Sequence, residues 1–206
     1  MAVEVMWLGH ASIMVRTEKT VLYIDPWKIG KNMPSADIIL ITHDHYDHYS
    51  RDDVNLLKTD RTRVVAPMSS DVVTDLIMPG QSLALDDVIV EAIPAYNIDK
   101  EFHPKKNNWV GYVVNILGKR VYHTGDTDHI PEMKGLKVDV ALIPVGGVYT
   151  MTADDAGRAL GDIQADHAIP IHFGDIVGTR KDAVRLSETA SCTVHILRPG
   201  EAFVLA

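Results

Sequence analysis

The sequence predicts a mixed α/β (α+β) protein, and three observations carry that reading. Short apolar runs rich in Val and Ile recur at strand length along the whole chain. Helical patterns are few and short, and in each half of the chain they follow the strands, which gives a weak two-fold repetition of order. The densest group of donor side chains, His43-Asp44-His45-Tyr46-Asp47-His48, stands directly behind one apolar run, Ile38-Ile39-Leu40-Ile41.

Taken in order, residues 3–8 read as a strand, and Gly9-His10-Ala11-Ser12 as a turn. Residues 13–16 and 21–24 are two further strands. Asp25-Pro26 stops the third strand, because proline cannot donate to a ladder. This opening is an antiparallel meander without room for helices. Residues 36–42 are a buried strand that leads into the histidine cluster, and 52–57 a short helix whose acidic start complements its dipole. After a strand at 63–66, Ser69 or Ser70 is expected to cap a helix reaching about residue 76, closed by Pro79-Gly80. Strands follow at 81–85 and 88–93, then a polar loop over 98–108 that carries His103-Pro104-Lys105-Lys106.

A long strand over 109–117 turns at Gly118-Lys119 into 120–123, which delivers Thr124-Gly125-Asp126-Thr127. The apolar strand 138–144 ends in Gly146-Gly147. Thr152 and Asp155 open a helix through residue 160 in the manner of a capping box. A strand at 166–171 delivers His172-Phe173-Gly174. A helix near 181–188 and strands at 193–197 and 202–205 close the chain. No short-period repeat, low-complexity tract or linker interrupts residues 1–206, so one domain is expected.

Composition narrows the function. With 20 Lys+Arg against 28 Asp+Glu the formal charge is −8, which argues against broad electrostatic capture of nucleic acid. The one cysteine, Cys192, rules out an internal disulfide framework and reads as a packed small hydrophobe. The first residues lack a basic region and a long apolar region, and no stretch approaches membrane-span length. A cytoplasmic protein with a small-molecule substrate is expected, with neither nucleic acid nor membrane as partner and a homo-oligomer left open.

The chemistry points to metal. A tight turn can present His43 and His45 to one ion, while Asp47 and His48 project toward a second a few ångströms away. Asp126, in a turn after a strand, could bridge two ions; a turn aspartate bonded to its own backbone is the plain alternative. His172 stands at a strand end in the same way. Between the cluster and Asp126, His103 or His123 could complete the set. Alternation along the strand turns His123 away from the face of Asp126, so the loop residue His103 is preferred. No GxSxG-type nucleophile motif is present.

The HxHxDH pattern of His43 to His48 resembles the signature of the metallo-β-lactamase-fold hydrolases. Gly125-Asp126-Thr127 and Ile171-His172-Phe173-Gly174 match that family's later ligands in order and setting. Trp7-Leu8-Gly9-His10-Ala11-Ser12, Asp25-Pro26 and Gly125-Asp126-Thr127-Asp128 are similar to uncharacterised bacterial and archaeal members near the ascorbate-phosphate lactonase branch. The resemblance implies a four-layer αβ/βα sandwich and two divalent ions, zinc first, with manganese or iron as alternatives. It implies that His43 and His45 hold one ion, that Asp47, His48 and His172 hold the other, and that Asp126 bridges them. Asp47 would also accept the nucleophile's proton. His10 would lie at the site rim as a substrate contact or as a donor behind the ligands. His129 is a candidate substrate contact, Lys105 and Tyr96 lesser ones, and Asp25 a carboxylate orienting the ligand loop. His167 and His195 read as structural.

His45 stands where redox di-iron relatives carry glutamate, so oxygen chemistry is not expected. No large insertion or basic glycine-rich arm suggests a nuclease. Hydrolysis of a small ester, lactone or phosphodiester is the expectation, and the lysines beside His103 make a phosphorylated substrate attractive. An RNA phosphodiesterase and a metal-stabilised binding module are the rivals.

Overall fold

Residues 2–205 are described here, in a computed structural model. The opening meander forms as its sequence dictates: β1 (Val3–Gly9), β2 (Ser12–Arg16) and β3 (Val21–Ile24) pair antiparallel. β4 (Ile38–Leu40) then joins β3 in parallel. Helix α1 (Arg51–Leu57) leads to β5 (Arg63–Ala66) and β6 (Asp75–Leu76), both parallel to their neighbours. The second half repeats this plan. β7 (Ser82–Leu85), β8 (Val88–Pro94), β9 (Val110–Ile116) and β10 (Lys119–His123) are antiparallel, and β11 (Lys137–Pro144) joins β10 in parallel. α2 (Ala153–Asp162), β12 (Gln164–Ile171), α3 (Arg180–Thr189) and β13 (Thr193–Val194) follow, and β14 (Ala202–Leu205) crosses back to β1. The result is two seven-stranded sheets, ordered β14-β1-β2-β3-β4-β5-β6 and β13-β12-β11-β10-β9-β8-β7.

Alternation along the strands explains the layers. Ile38 and Leu40 belong to the core between the sheets, while Ile39 and Ile41 pack with Val54 and Leu57 of α1 on the outer face. Ile13 and Val15 divide from Met14 in the same way, and Leu22 and Ile24 from Tyr23. A strand buried on both faces must be apolar throughout, which is why residues 38–41 carry no polar side chain. Ala156, Ala159 and Leu160 of α2 and Ala183 and Leu186 of α3 cover the second sheet. Helix, sheet, sheet, helix is the four-layer order that the resemblance implied. Among the described residues no helix is long and apolar enough to cross a membrane.

Both capping boxes that close the loops before α2 and α3 are complete, Thr152 with Asp155 and Thr179 with Asp182. The helix expected after Ser69 or Ser70 does not form. Ser70 Oγ accepts from the Val72 amide and from the Tyr49 hydroxyl, and the β-branched Val72-Val73-Thr74 passes into the short strand β6. The β9–β10 turn is Leu117-Gly118 rather than Gly118-Lys119. Both central residues have positive φ, 52° and 75°, as a two-residue hairpin of that twist requires. Lys119 begins the next strand.

Candidate metal centre

The site lies where the parallel strands end. The chain leaves β4 at Thr42 and coils into residues 43–48, with the His48 and Tyr49 amides donating to the His45 carbonyl at 3.0 and 2.8 Å. Besides Asp25, His43 and His48, two groups of donor atoms result, each within 4.8 Å of one another. One is His43, His45 and His103, the other His10, Asp47, His48 and His172. Asp126, delivered after β10, stands between them. Its Oδ2 lies 3.3 Å from His103 Nε2 and 3.0 Å from His172 Nε2, and its Oδ1 lies 3.3 Å from His48 Nε2.

These contacts are close, yet His48 Nε2, His103 Nε2, His172 Nε2 and Asp126 Oδ1 are buried with no hydrogen-bond partner. Buried polar atoms without partners are costly, so a converging set of them needs a ligand to explain it. His43 Nε2 and His45 Nδ1 stand 3.1 Å apart, close to the roughly 3.3 Å separating two nitrogens on one tetrahedral zinc. The donor set is imidazole nitrogen and carboxylate oxygen, which suits a borderline divalent ion. The residues present therefore fit a divalent metal.

The groups behind the ligands fix which nitrogen points inward. Asp25, fully buried, accepts from the Thr42 amide at 2.8 Å, from Thr42 Oγ1 at 2.6 Å and from His48 Nδ1 at 2.7 Å. With its proton committed to Asp25, Thr42 Oγ1 accepts from His43 Nδ1 at 2.9 Å. His103 Nδ1 donates to Asn97 Oδ1 at 3.0 Å, and Asn97 Nδ2 donates to the Tyr149 carbonyl at 3.0 Å. In His43, His48 and His103 the hydrogen bond is thus made from Nδ1, which leaves Nε2 as the nitrogen that faces the centre.

Electrostatics follow from burial and neighbours. Burial first, then the His48 charge, pushes the His43 pKa well below its ordinary value, and burial lowers that of His45. Both are neutral and able to ligate at pH 7. Burial alone would raise Asp126, but the His172 and His48 charges and the contacts from His103 and His172 hold it well below the carboxylate range. For Asp47, burial is likewise outweighed by the hydrogen bond from His10 and the charge of His48.

A family model for the beta-lactamase superfamily domain matches residues 4–172, a span that holds the whole donor set. The chain belongs to the metallo-β-lactamase superfamily. Within it, the chain is 32% identical over 209 residues to a UPF0173 metal-dependent hydrolase of Thermoplasma volcanium, covering 93% of this chain and 92% of the relative. A solved protein from Parabacteroides distasonis is similar with a TM-score of 0.84 and 29% identity, over 97% of this chain and 94% of that one. Igni18, a metallo hydrolase from Ignicoccus hospitalis, shares the fold with a TM-score of 0.83 at 22% identity, over 100% and 99% of the chains.

Against this metallo-β-lactamase framework, two expected substrate contacts take other places. His10 takes the second of its two expected places, a donor behind the cluster rather than a substrate contact at the rim, and is 2% exposed. Its Nε2 lies 2.9 Å from Asp47 Oδ2, and its ring centre 4.0 Å from that of His172. The turn after β1 bends inward there, with His10 at φ 48° and its carbonyl accepting from both the Trp7 indole and the His172 amide. His129 does not line the cleft over the centre, because its Nε2 donates to Asp162 at 2.8 Å. Asp25 lies behind the ligands, as expected.

The choice between the middle histidines is resolved by position. His123 donates from Nε2 to the Ala11 carbonyl at 2.8 Å and accepts the Gly125 amide on Nδ1 at 3.1 Å, so neither nitrogen is free. His103 faces Asp126. Thr42, Asn97 and Trp109 were not singled out by sequence. The Trp109 ring packs 5.0, 4.8 and 5.6 Å from the rings of His43, His45 and His103. Each stands beside a strand end next to a donor, but a polar or aromatic residue there is too common to be a signal alone.

Proposed function

We propose that this metal-dependent hydrolase holds two divalent ions and uses water to open a small-molecule ester, lactone or phosphodiester. The single observation carrying the reading is the set of buried, partnerless donor atoms gathered around Asp126. His43, His45 and His103 would hold one ion, Asp47, His48 and His172 the other, and Asp126 would serve both. Bound there, divalent ions lower the pKa of water toward neutrality and polarise the electrophile's oxygen.

The chain's own residues do the rest. Asp25, Thr42 and Asn97 keep three imidazoles in the ligating tautomer. Asp47 lines the cleft and is held ionised, so it can accept a hydrogen bond from the attacking water and then its proton. His10 clamps the Oδ2 of Asp47 and limits its rotation. Zinc suits the donors best, and manganese or iron would bind the same nitrogen and oxygen set.

The experiment is hydrolysis of a panel by protein reloaded with zinc, manganese or iron: a lactone, a thioester, a phosphodiester, a β-lactam and a short RNA. Asp126→Ala is the control. Turnover of one small-molecule bond type that disappears in the control supports the reading. Turnover of the RNA alone, or silence together with fewer than two bound ions per chain, would overturn it.

A further inference from the structure

The cleft above the centre encloses about 370 Å³, the small end of the range for small-molecule sites. Its floor is the ligand set, and its walls are apolar. Tyr46 rises from the ligand loop, Ile176 from the segment after His172, and Phe102 and Tyr149 meet edge to face with ring centres 4.7 Å apart. The Asn97 side chain that orients His103 also holds the Tyr149 carbonyl, so this wall is tied to the centre. Tyr46 is 68% exposed and Phe102 47%, although the chain has only three phenylalanines. Large apolar side chains left in water around a concave site mark a surface meant to be covered.

Charge is missing from these walls in a specific way. No lysine or arginine lines the cleft among the described residues. Lys105, which made a phosphorylated substrate attractive from sequence, lies over the Tyr96 ring and pairs with Glu132 at 2.9 Å. Lys100 pairs with Asp128. The one charged lining residue outside the donor set is Asp44, which would repel a distal anion. A phosphate or carboxylate remote from the scissile bond would lose water here and gain no partner.

We infer that the substrate is an uncharged carboxylic ester or lactone carrying an apolar group, seated against Phe102, Tyr149, Tyr46 and Ile176. This rests on the hydrolase reading above. In the reaction, water's oxygen bonds to the acyl carbon, the acyl C–O bond breaks, and the leaving oxygen departs with a proton as an alcohol. In a lactone that alcohol stays attached to the product acid. The apolar wall supplies binding remote from the chemistry, which holds the acyl carbon over the centre.

The test uses the full-length, zinc-reloaded protein on p-nitrophenyl esters from acetate to hexanoate, with chain-end carboxylate, phosphate and ammonium analogues of the longest. Bis-p-nitrophenyl phosphate is added, and Asp126→Ala again serves as control. The kcat/KM is expected to rise about two- to fourfold per methylene, the transfer free energy of a buried methylene written as a ratio. Each charged chain end should reduce it, the carboxylate and the phosphate more than tenfold. Phe102→Ser should lower the hexanoate-to-acetate ratio. By calorimetry, it should also weaken binding of hexanamide, a readout that needs no turnover. A flat chain-length profile, or a charged analogue turned over as well as the neutral ester, overturns the substrate class. Cleavage of the phosphodiester alone overturns it while leaving the hydrolase reading intact. Silence on every substrate overturns the substrate class, and the hydrolase reading falls with it only if fewer than two ions are bound per chain.

Discussion

Asp25 shows how much of the centre depends on one carboxylate that is proposed to touch no ion. It accepts three hydrogen bonds, and two of them set the tautomers of His48 and His43. Asp25→Ala should therefore weaken metal binding about 10- to 100-fold, the usual cost of removing a partner behind a ligand, as read by chelator competition. The middle histidines separate in the same experiment. His103→Ala should lose about one ion per chain. His123→Ala should keep both but lose stability, because the Ala11 carbonyl and Gly125 amide are left unpaired at about 1–3 kcal/mol each.

His48 gives a pH signature in the metal-free protein. Burial alone would lower its pKa, but the Asp126 and Asp25 carboxylates raise it well above the ordinary 6.5. A folded pKa above the unfolded one contributes stability that is full below 6.5 and is lost as pH rises through the folded value. His10, His43, His45 and His123, all lowered with burial as the largest cause, oppose it near 6.5, where their unfolded forms still release protons, and cease to do so about one pH unit higher. Metal-free protein should thus melt at progressively lower temperature above about pH 7.5, where only the His48 linkage remains, and metal-loaded protein should lack this decline. A metal-free melting temperature that stays flat there would contradict the placement of His48 between two carboxylates.

At the scale of elements, the placement of Asp126 depends on Gly111 in β9. A Cβ at that position would lie 2.5 Å from the Thr124 carbonyl oxygen and 2.7 Å from that of His123, both backbone. Gly111→Ala must push β9 from the segment that carries Asp126. A cost of about 1–3 kcal/mol is expected, or about 2–4 °C in Tm per kcal/mol for a chain of this length. Metal occupancy should fall as well. An unchanged Tm would refute this packing argument. Such a role cannot be read from sequence, because the clash is with strands that only the fold brings near. The strands around Gly111 were legible, since alternation and apolar runs are local signals. Residues 69–76 were misread because a serine followed by apolar residues fits a helix start as well as a turn. Only the Tyr49 and Val64 contacts decide between them.

At the scale of the molecule, two halves of similar plan bring their loops to one edge. His43 to His48 follow β4, Asp126 follows β10 and His172 follows β12, so ligands distant in sequence meet where parallel strands end. The dense cluster was legible because its ligands fall within six residues. The later ligands needed the family resemblance, since one aspartate or histidine at a strand end is ordinary. For a related reason the sequence left His10 open between a rim contact and a donor behind the ligands: a turn near the N-terminus gives no sign that it folds inward against Asp47. His10→Ala should lower kcat about tenfold or more with both ions retained, because Asp47 loses its clamp. Metal density within coordinating distance of a His10 nitrogen would instead make His10 a ligand.

The central claim is a two-ion centre built on Asp126. The most direct measurement is anomalous diffraction at the zinc edge from crystals of the zinc-reloaded protein. Two peaks are predicted, one among His43, His45 and His103 and one among Asp47, His48 and His172, with Asp126 reaching both. A single peak, or peaks away from these side chains, would contradict the account.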